Sequence, residues 1–383
     1  MKKLLTVLAA VCLMAACGSA AAEGPAIEEK ALELYGSSLC FPVITGMEDE
    51  ALQEQVNDRL KEDLHEDEYN ERMIQLVSDE RSISVSWNGI LAGDVFSCLA
   101  DAEGALRGNR STHEWAWSNI DLRDGHEITF GELFTDEEAA REAIEEYLEW
   151  TVAPELNAHL ANTELVPVPE GFRLESTGLT LLYKAEQLST LKDRAGAVKI
   201  GWNEIRDIVD WSEDGIPARI GAADMVTLTE ESRVTIIAMT ESGQLPDIPV
   251  KPGDSVKEWT DRAHLLNDPE EYTGGRMFAL EGAAFRDVYL LSDAVSDDWD
   301  RSLVQGIRAD RGCFWGLCIG ETRAEEWHAL LGEPDHSAVL DEEDAEGART
   351  VPGTCDYYLF GEYRLQLQAD TDGFLASITL MAQ

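Results

Sequence analysis

The feature that most constrains this chain is a pattern used twice in its last third. Pro252-Gly253-Asp254-Ser255-Val256-Lys257-Glu258-Trp259 resembles Ile319-Gly320-Glu321-Thr322-Arg323-Ala324-Glu325-Glu326-Trp327. In each copy a Ser or Thr stands just before a helical run with a Glu three positions on, the arrangement of a capping box. Each helix is followed by an acidic residue and a proline, Asp268-Pro269 or Glu333-Pro334, and proline cannot continue a helix. Strand-like runs come next: 277–281 with 285–291, and 357–360 with 363–369 and 374–380. The unit is therefore helix, turn and antiparallel meander, over about 251–292 and again over about 317–381. Two copies are too few for a solenoid, so both are expected to pack in one domain, 213–383.

Ahead of residue 213 the patterning is mixed. Leu52, Val56, Leu60 and Leu64 recur every four residues, which predicts an amphipathic helix with acids on its outer face. Residues 70–78 and 81–99 read as strands; Ser82 to Trp87 alternate, and Asn88-Gly89 is a hairpin-turn signal. Residues 100–111 read as a long polar loop and 113–122 as a further strand, followed by a turn at Asp124-Gly125. Thr135 with Glu138 predicts a capped helix over 136–150 that buries Ala140, Ala143, Ile144, Tyr147 and Leu148. A short helix over 154–161, a hairpin over 172–183, a strand over 198–202 and a helical turn over 204–209 follow. The acids, Gly and Pro of 210–217 predict a domain boundary, and beyond it 225–229 and 233–239 read as strands. The expected fold class is α+β, with antiparallel sheets packed with a few helices, in two parts, 30–212 and 213–383.

The N-terminus carries its own pattern. Lys2 and Lys3 precede an apolar stretch, 4–13, too short to span a bilayer, and Met14-Ala15-Ala16-Cys17 follows. The segment resembles a bacterial lipoprotein signal. On that reading 1–16 is removed, Cys17 is acylated, and 17–29 is a lipidated, flexible tether. The protein would then attach to the outer face of the cytoplasmic membrane through its lipid anchor. An ordinary secretory signal cut near 20–22 is the other reading.

Thirty Lys+Arg against 75 Asp+Glu give a net charge of −45. Such a charge repels nucleic acid and anionic headgroups and speeds encounter with cationic proteins. It also simply keeps a surface protein soluble, the blander account. Outside the signal and Cys17 the cysteines are Cys40, Cys98, Cys313, Cys318 and Cys355, an odd number. Cys40 and Cys98 share one region and the other three a second, so one bridge per region is the simplest pairing. Cys40 with Cys98, and Cys318 with Cys355, are the candidates; buried thiols throughout are the alternative.

Motifs that carry chemistry are scarce. His65-Glu66, His113-Glu114 and His126-Glu127 begin like zincin helices, but none has the second His. Ser189-Thr190-Leu191-Lys192 matches a Ser-x-x-Lys pattern without its companion motifs. Asp341 to Asp344 reads as a solvated acidic run, and Asp370-Thr371-Asp372-Gly373 as a hairpin turn rather than a calcium loop. No catalytic residue, metal ligand or cofactor site is expected. Trp115 and Trp117 alternate on one strand and share a face. They are either core against the 136–150 helix or an exposed aromatic platform for a glycan or protein, and Phe314-Trp315 admits the same two readings.

Asn119-Ile120-Asp121-Leu122-Arg123-Asp124-Gly125-His126-Glu127-Ile128-Thr129, then Glu132-Leu133-Phe134, resembles the extracellular C-terminal domain family of anti-sigma-V factors, also appended to some peptidoglycan deacetylases. Gly178-Leu179-Thr180-Leu181-Leu182-Tyr183 and 198–209 continue that pattern, and Phe41-Pro42-Val43-Ile44-Thr45-Gly46 with Val56-Asn57-Asp58-Arg59 resembles the small module before it. The loop before the Asp-Leu strand departs from the family, with Gly108-Asn109-Arg110-Ser111-Thr112-His113 where Gly-Ala-His is common. Residues 320–334 also resemble, over a short stretch, the small outer-membrane-assembly lipoproteins. The main resemblance implies an α+β domain that binds rather than catalyses, with a cationic envelope-active protein such as lysozyme, or a cell-wall component, as partner. A cell-wall-modifying enzyme using unlocated carboxylates, and a structural envelope accessory protein, are the rival expectations.

Overall fold

The computed structural model describes residues 24–75, 80–106, 110–149, 168–184, 196–248, 250–257, 270–279, 288–294 and 301–383. The expected lipoprotein signal with Cys17, the expected 154–161 helix, Ser189 to Lys192 and the expected first-repeat helix beyond Lys257 lie outside them. The fold is mixed α+β, with mostly antiparallel sheets and eight α-helices among the described residues. The chain forms two compact units, Met1–Leu174 with Leu182–Gly196, and Glu175–Leu181 with Ala197–Gln383. The 210–217 cluster lies inside the second unit, where Pro217 stands in the first turn of a short helix rather than in a linker.

The first unit is built on a five-stranded sheet in sequence order: β1 (Ala26–Leu34), β2 (Ser37–Thr45), β3 (Glu80–Ala92), β4 (Val95–Leu106) and β5 (Arg110–Asp121). Only β2 and β3 run parallel, because α1 (Glu50–Asp63) and α2 (Glu66–Gln75) form the crossover between them. Asp49 caps α1 by accepting from the backbone N–H of Ala51 and Leu52. Asn57 bonds both the N–H and the C=O of Ile44, which fixes the helix against β2. Val56, Leu60, Leu64, Tyr69 and Met73 then bury against Ile83, Val85, Phe96, Cys98, Ala100 and Ala116.

Several local expectations need correction here. Residues 70–75 are helical rather than extended, since Tyr69 and Met73 bury one turn apart and three acids occupy the first turn. Asn88-Gly89 is not the hairpin turn. Gly93, with φ 59, turns β3 into β4, while Gly89 sits in β3 opposite Cys98. Gly89 is required for close approach, because a Cβ there would lie 2.3 Å from the Ser97 carbonyl oxygen. The expected 100–111 loop is strand over 100–106, where β4 pairs with β5. The helix α3 (Glu137–Tyr147) is capped by Asp136 rather than Thr135, with Ala140, Ile144 and Leu148 buried.

A three-stranded sheet follows, β6 (Gly171–Glu175), β7 (Gly178–Tyr183) and β8 (Gly196–Gly201), and the division between units falls within these strands. In the second unit come α4 (Ile216–Arg219), α5 (Ala222–Val226) and α6 (Glu230–Glu241), where strands were expected at 225–229 and 233–239. The β-branched run Val234-Thr235-Ile236-Ile237 is overridden by a Thr229–Ser232 capping box and by burial of Ser232, Ile236 and Thr240 on one face.

The tandem meanders form one eight-stranded sheet in the order β15-β16-β17-β18-β12-β11-β10-β9. Its strands are β9 (Glu270–Tyr272), β10 (Gly275–Ala279), β11 (Val288–Ser292), β12 (Val304–Ala309), β15 (His336–Leu340), β16 (Gly353–Phe360), β17 (Tyr363–Asp370) and β18 (Leu375–Ala382). β12, unforeseen in the sequence, pairs antiparallel with β11 and β18 and so joins the two meanders. On one face α6 and α7 (Ala324–Leu331) bury Ile236, Trp327 and Leu330 with Ile307, Tyr358, Leu365, Leu367, Ile378 and Leu380. The start of α7 also departs from expectation. Glu326, not Glu325, bonds the N–H of Arg323, while Thr322 accepts from the N–H of Cys318. The other face is covered in part by α8 (Glu342–Ala348) and the segment after it. No described helix is long and apolar enough to cross a membrane.

Two predictions follow from the first unit. Gly89→Ala is expected to lower stability by about 1–3 kcal/mol, because the added methyl meets rigid backbone; an unchanged urea midpoint would contradict the close approach. His126 is hydrogen-bonded by Asp124 Oδ1 at 2.6 Å and Glu132 Oε1 at 2.9 Å, and the Asp124 bond foremost raises its pKa above the ordinary 6.5. A raised folded pKa contributes stability that is complete below the unfolded value and lost as pH rises through the folded one. His126→Gln should therefore melt below the parent in acid and converge with it in alkali; a constant gap across that range would refute the coupling.

Candidate functional site

The site assembles on the face of the five-stranded sheet turned away from α1 and α2. Strand pairing places Glu33 and Ser38 together, Ser38 beside Ser84, Ser86 opposite Asp101 and Asp101 opposite Trp115, and Asn88 opposite Leu99 and Leu99 opposite Trp117. Ser84 likewise lies opposite Glu103, and Glu103 opposite His113. Directly paired residues share a face, so these side chains form one surface. Glu33, Ser38, Ser84, Ser86, Asn88 and Glu103 are exposed, and Asp101, His113, Trp115 and Trp117 are half-buried. The surface carries three carboxylates, and none of these strand positions is a lysine or arginine.

Its geometry is held from below and from one end. His113 Nε2 lies 2.9 Å from Asp101 Oδ1, and the His113 ring leans on Trp115 with centroids 6.2 Å apart. Trp117 rests on the backbone of Gly171, where a Cβ would come within 2.7 Å of the indole. Lys184 Nζ lies over the Trp117 ring at 5.2 Å, a cation–π contact. Toward the β3–β4 turn the face is closed. Ser97 Oγ donates to Asn119 Oδ1 and accepts from the N–H of Leu174, and Asn119 Nδ2 donates to the Phe172 carbonyl. Trp115 and Trp117 therefore share a face, as alternation requires, and it is not the face that packs on α1 and α2. Phe314 and Trp315 by contrast are buried in the second unit's core.

A second polar constellation, which the sequence does not signal, lies in the second unit. The buried Glu175 carboxylate accepts from Lys199 Nζ and Thr180 Oγ1, and its backbone carbonyl accepts from Trp202 Nε1 at 2.9 Å. Lys199 also donates to Thr177 Oγ1. Asp247, at φ 60, accepts from the backbone and hydroxyls of Ser176 and Thr177 and thereby fixes the β6–β7 turn. Thr177 and Lys199 border a shallow, open depression with Glu204, Arg311, Ile248, Val288 and Phe314. Glu204 is paired with Arg311 at 3.0 Å, and each charge named here has a partner of opposite sign or several N–H and O–H donors. Such mutual satisfaction is what a structural network needs. Among the described residues no group of three or more His, Cys, Asp or Glu could hold a metal ion.

The cysteines depart from the expected pairing. Cys40 and Cys98 are free, because β3 separates β2 from β4. Two strand spacings are about 9–10 Å, beyond the roughly 7 Å Cα separation a disulfide spans. Cys318 is bonded to Cys313, not to Cys355. The short hairpin of β13 (Cys313–Phe314) and β14 (Leu317–Cys318) places the two directly opposite, with Cα atoms 4.0 Å apart. Cys355 is buried and free in β16. Burial raises the thiol pKa of Cys98, and that of Cys355 to about 11.

No family model matches this chain, and no curated protein does. Among solved structures, a DUF3298 family protein from Pseudomonas aeruginosa PAO1 is similar at TM-score 0.36 and 14% identity, over 49% of this chain and 93% of that one. A DUF3298 family member from Bacteroides fragilis NCTC 9343 follows at TM-score 0.34 and 13% identity, over 51% and 95%. A DUF4309 family protein from Bacillus subtilis strain 168 gives TM-score 0.25 and 12% identity, over 40% and 98%. The chain thus has a distant structural similarity to DUF3298 family proteins.

The cysteine assignment makes a direct prediction. Peptide mapping without reductant should recover Cys313 and Cys318 in one bridged species, with Cys98 and Cys355 alkylated only after denaturation. Replacing both Cys313 and Cys318 by Ala should cost about 2 kcal/mol, the loop-closure value for so short a ring. Recovery of a Cys40–Cys98 or Cys318–Cys355 bridge would contradict the strand order.

Proposed function

We propose that this chain is a cell-envelope protein, held at the outer face of the cytoplasmic membrane by a lipid on Cys17. On this reading it binds a cationic envelope-active protein, such as lysozyme, without chemically altering it. The observation that supports this most is the open face described above: acids, hydroxyls and two half-buried tryptophans, without a strand cation, on a chain of net charge −45. Charge of that size draws a basic partner from a distance, and aromatic side chains supply contact area once water is excluded. The sequence resemblance at 119–134 to the anti-sigma-V extracellular family points the same way.

Immobilised protein should retain lysozyme at about 50 mM salt and release it by about 0.5 M, as the Debye length shrinks. Asp101→Asn with Glu103→Gln should slow association, and Trp115→Ala should weaken retention by roughly tenfold. Neutralising the exposed Glu342 and Glu343 of α8 instead is the control for bulk charge. Absence of retention at low salt, or equal losses from the control pair, would sink the proposal.

A further inference from the structure

Arg308 and Arg364 lie on the same face of the eight-stranded sheet and are treated differently by the fold. Arg308, opposite Thr379 of β18, is almost fully buried and its guanidinium is fully engaged. Its Nε and Nη2 bond Asp310, and Nη1 and Nη2 bond the carbonyls of Ala348 and Arg349. Arg364, opposite Leu359 of β16 and Met381 of β18, receives almost nothing. Among the described residues its Nη2 meets only the thioether sulfur of Met381 at 3.1 Å, a weak acceptor, and its Nε has no acceptor. The guanidinium carbon lies over the Tyr357 ring, 5.2 Å from its centroid, and Tyr357 stacks in turn on His336.

This is not what composition alone would produce. The chain has 75 carboxylates for 30 lysines and arginines, yet among the described residues no ion pair reaches Arg364. A partly buried guanidinium without an anionic acceptor forgoes the strongest hydrogen bonds available to it. The side chains around it leave apolar surface open beside the guanidinium. Leu359 is 49% exposed, and Met381 and Tyr357 are half-exposed.

We infer that Arg364, with Tyr357, Leu359 and Met381, forms a binding site for a carboxylate joined to an aromatic or aliphatic body. The carboxylate takes the planar fork of the guanidinium, and the body lies on Leu359 and Met381. The fork accounts for the preference, since a carboxylate matches two parallel N–H donors in one plane. This site lies in the second unit and is independent of the tryptophan face.

The full chain, labelled with nitrogen-15, offers a direct readout in the Nε–Hε resonance of Arg364. Phenylacetate, and separately a blocked Phe-Glu peptide, should shift that resonance saturably with a midpoint near about 1 mM or below. The tighter of the two shows whether the carboxylate comes from a free acid or from a polypeptide. Phenylethanol, of similar body but uncharged, should have no saturable effect. Arg364→Gln should weaken binding by roughly tenfold or more. Leu359→Glu, a change at an exposed position directly opposite Arg364, supplies the missing carboxylate within the chain. It should fold, melt slightly above the parent and abolish the response. The inference is overturned if neither acid shifts Arg364, if phenylethanol shifts it equally, or if Leu359→Glu folds and still responds as the parent does.

Discussion

The second unit depends on the antiparallel pairing of β12 with β18. Without it each meander would end in an open edge, with backbone donors and acceptors unpaired beside an apolar face. The pairing sets Ile307 against Leu380 and Ala309 against Ile378, so that one continuous apolar surface forms beneath α6 and α7. It also fixes the opposite face, where Arg308 is brought to Thr379 while Arg364 lies across from Met381 on the same side. The two arginines share that face, but Arg308 finds Asp310 and the carbonyls after α8, while Arg364 is placed by the β17–β18 pairing beside Met381.

The first unit follows a different logic. Its sheet has one face committed to α1 and α2 and the other left largely polar, which is the ordinary condition of an antiparallel sheet with a solvated side. The tryptophans depart from that condition, since indoles on a solvated face forgo burial. Gly171 and Lys184 recover part of it for Trp117, by backbone contact and a cation–π interaction. Trp115 is flanked by the His113–Asp101 pair instead. The face is therefore organised by specific contacts, a reason to weigh it as an interaction surface.

Much of the architecture is legible in the sequence. The four-residue spacing of Val56, Leu60 and Leu64 marks α1, and the second repeat's helix and meander are found close to where the pattern puts them. What misled was local chemistry that tertiary packing overrode. Asn88-Gly89 carries a strong turn signal, but Gly89 is needed where β3 passes close to Cys98. The β-branched run in α6 favours extension, but its cap and its buried face make it helical. The candidate site was half visible. Alternation put Trp115 and Trp117 on one face, yet the partners Asp101, Glu103 and Ser86 come from other strands, which only register brings together.

By itself the sequence determined the acidic charge, the α+β class, the helix and meander of the last sixty residues and the shared face of the two tryptophans. These are periodic or compositional properties, carried by neighbours along the chain. The tertiary structure alone decided that Cys40 and Cys98 are held apart by β3, that β12 pairs with both β11 and β18, and that Arg364 has no acid beside it among the described residues. Each of these turns on which strands lie side by side. Strand order is set by burial summed over the whole unit, a quantity that no local window of sequence contains.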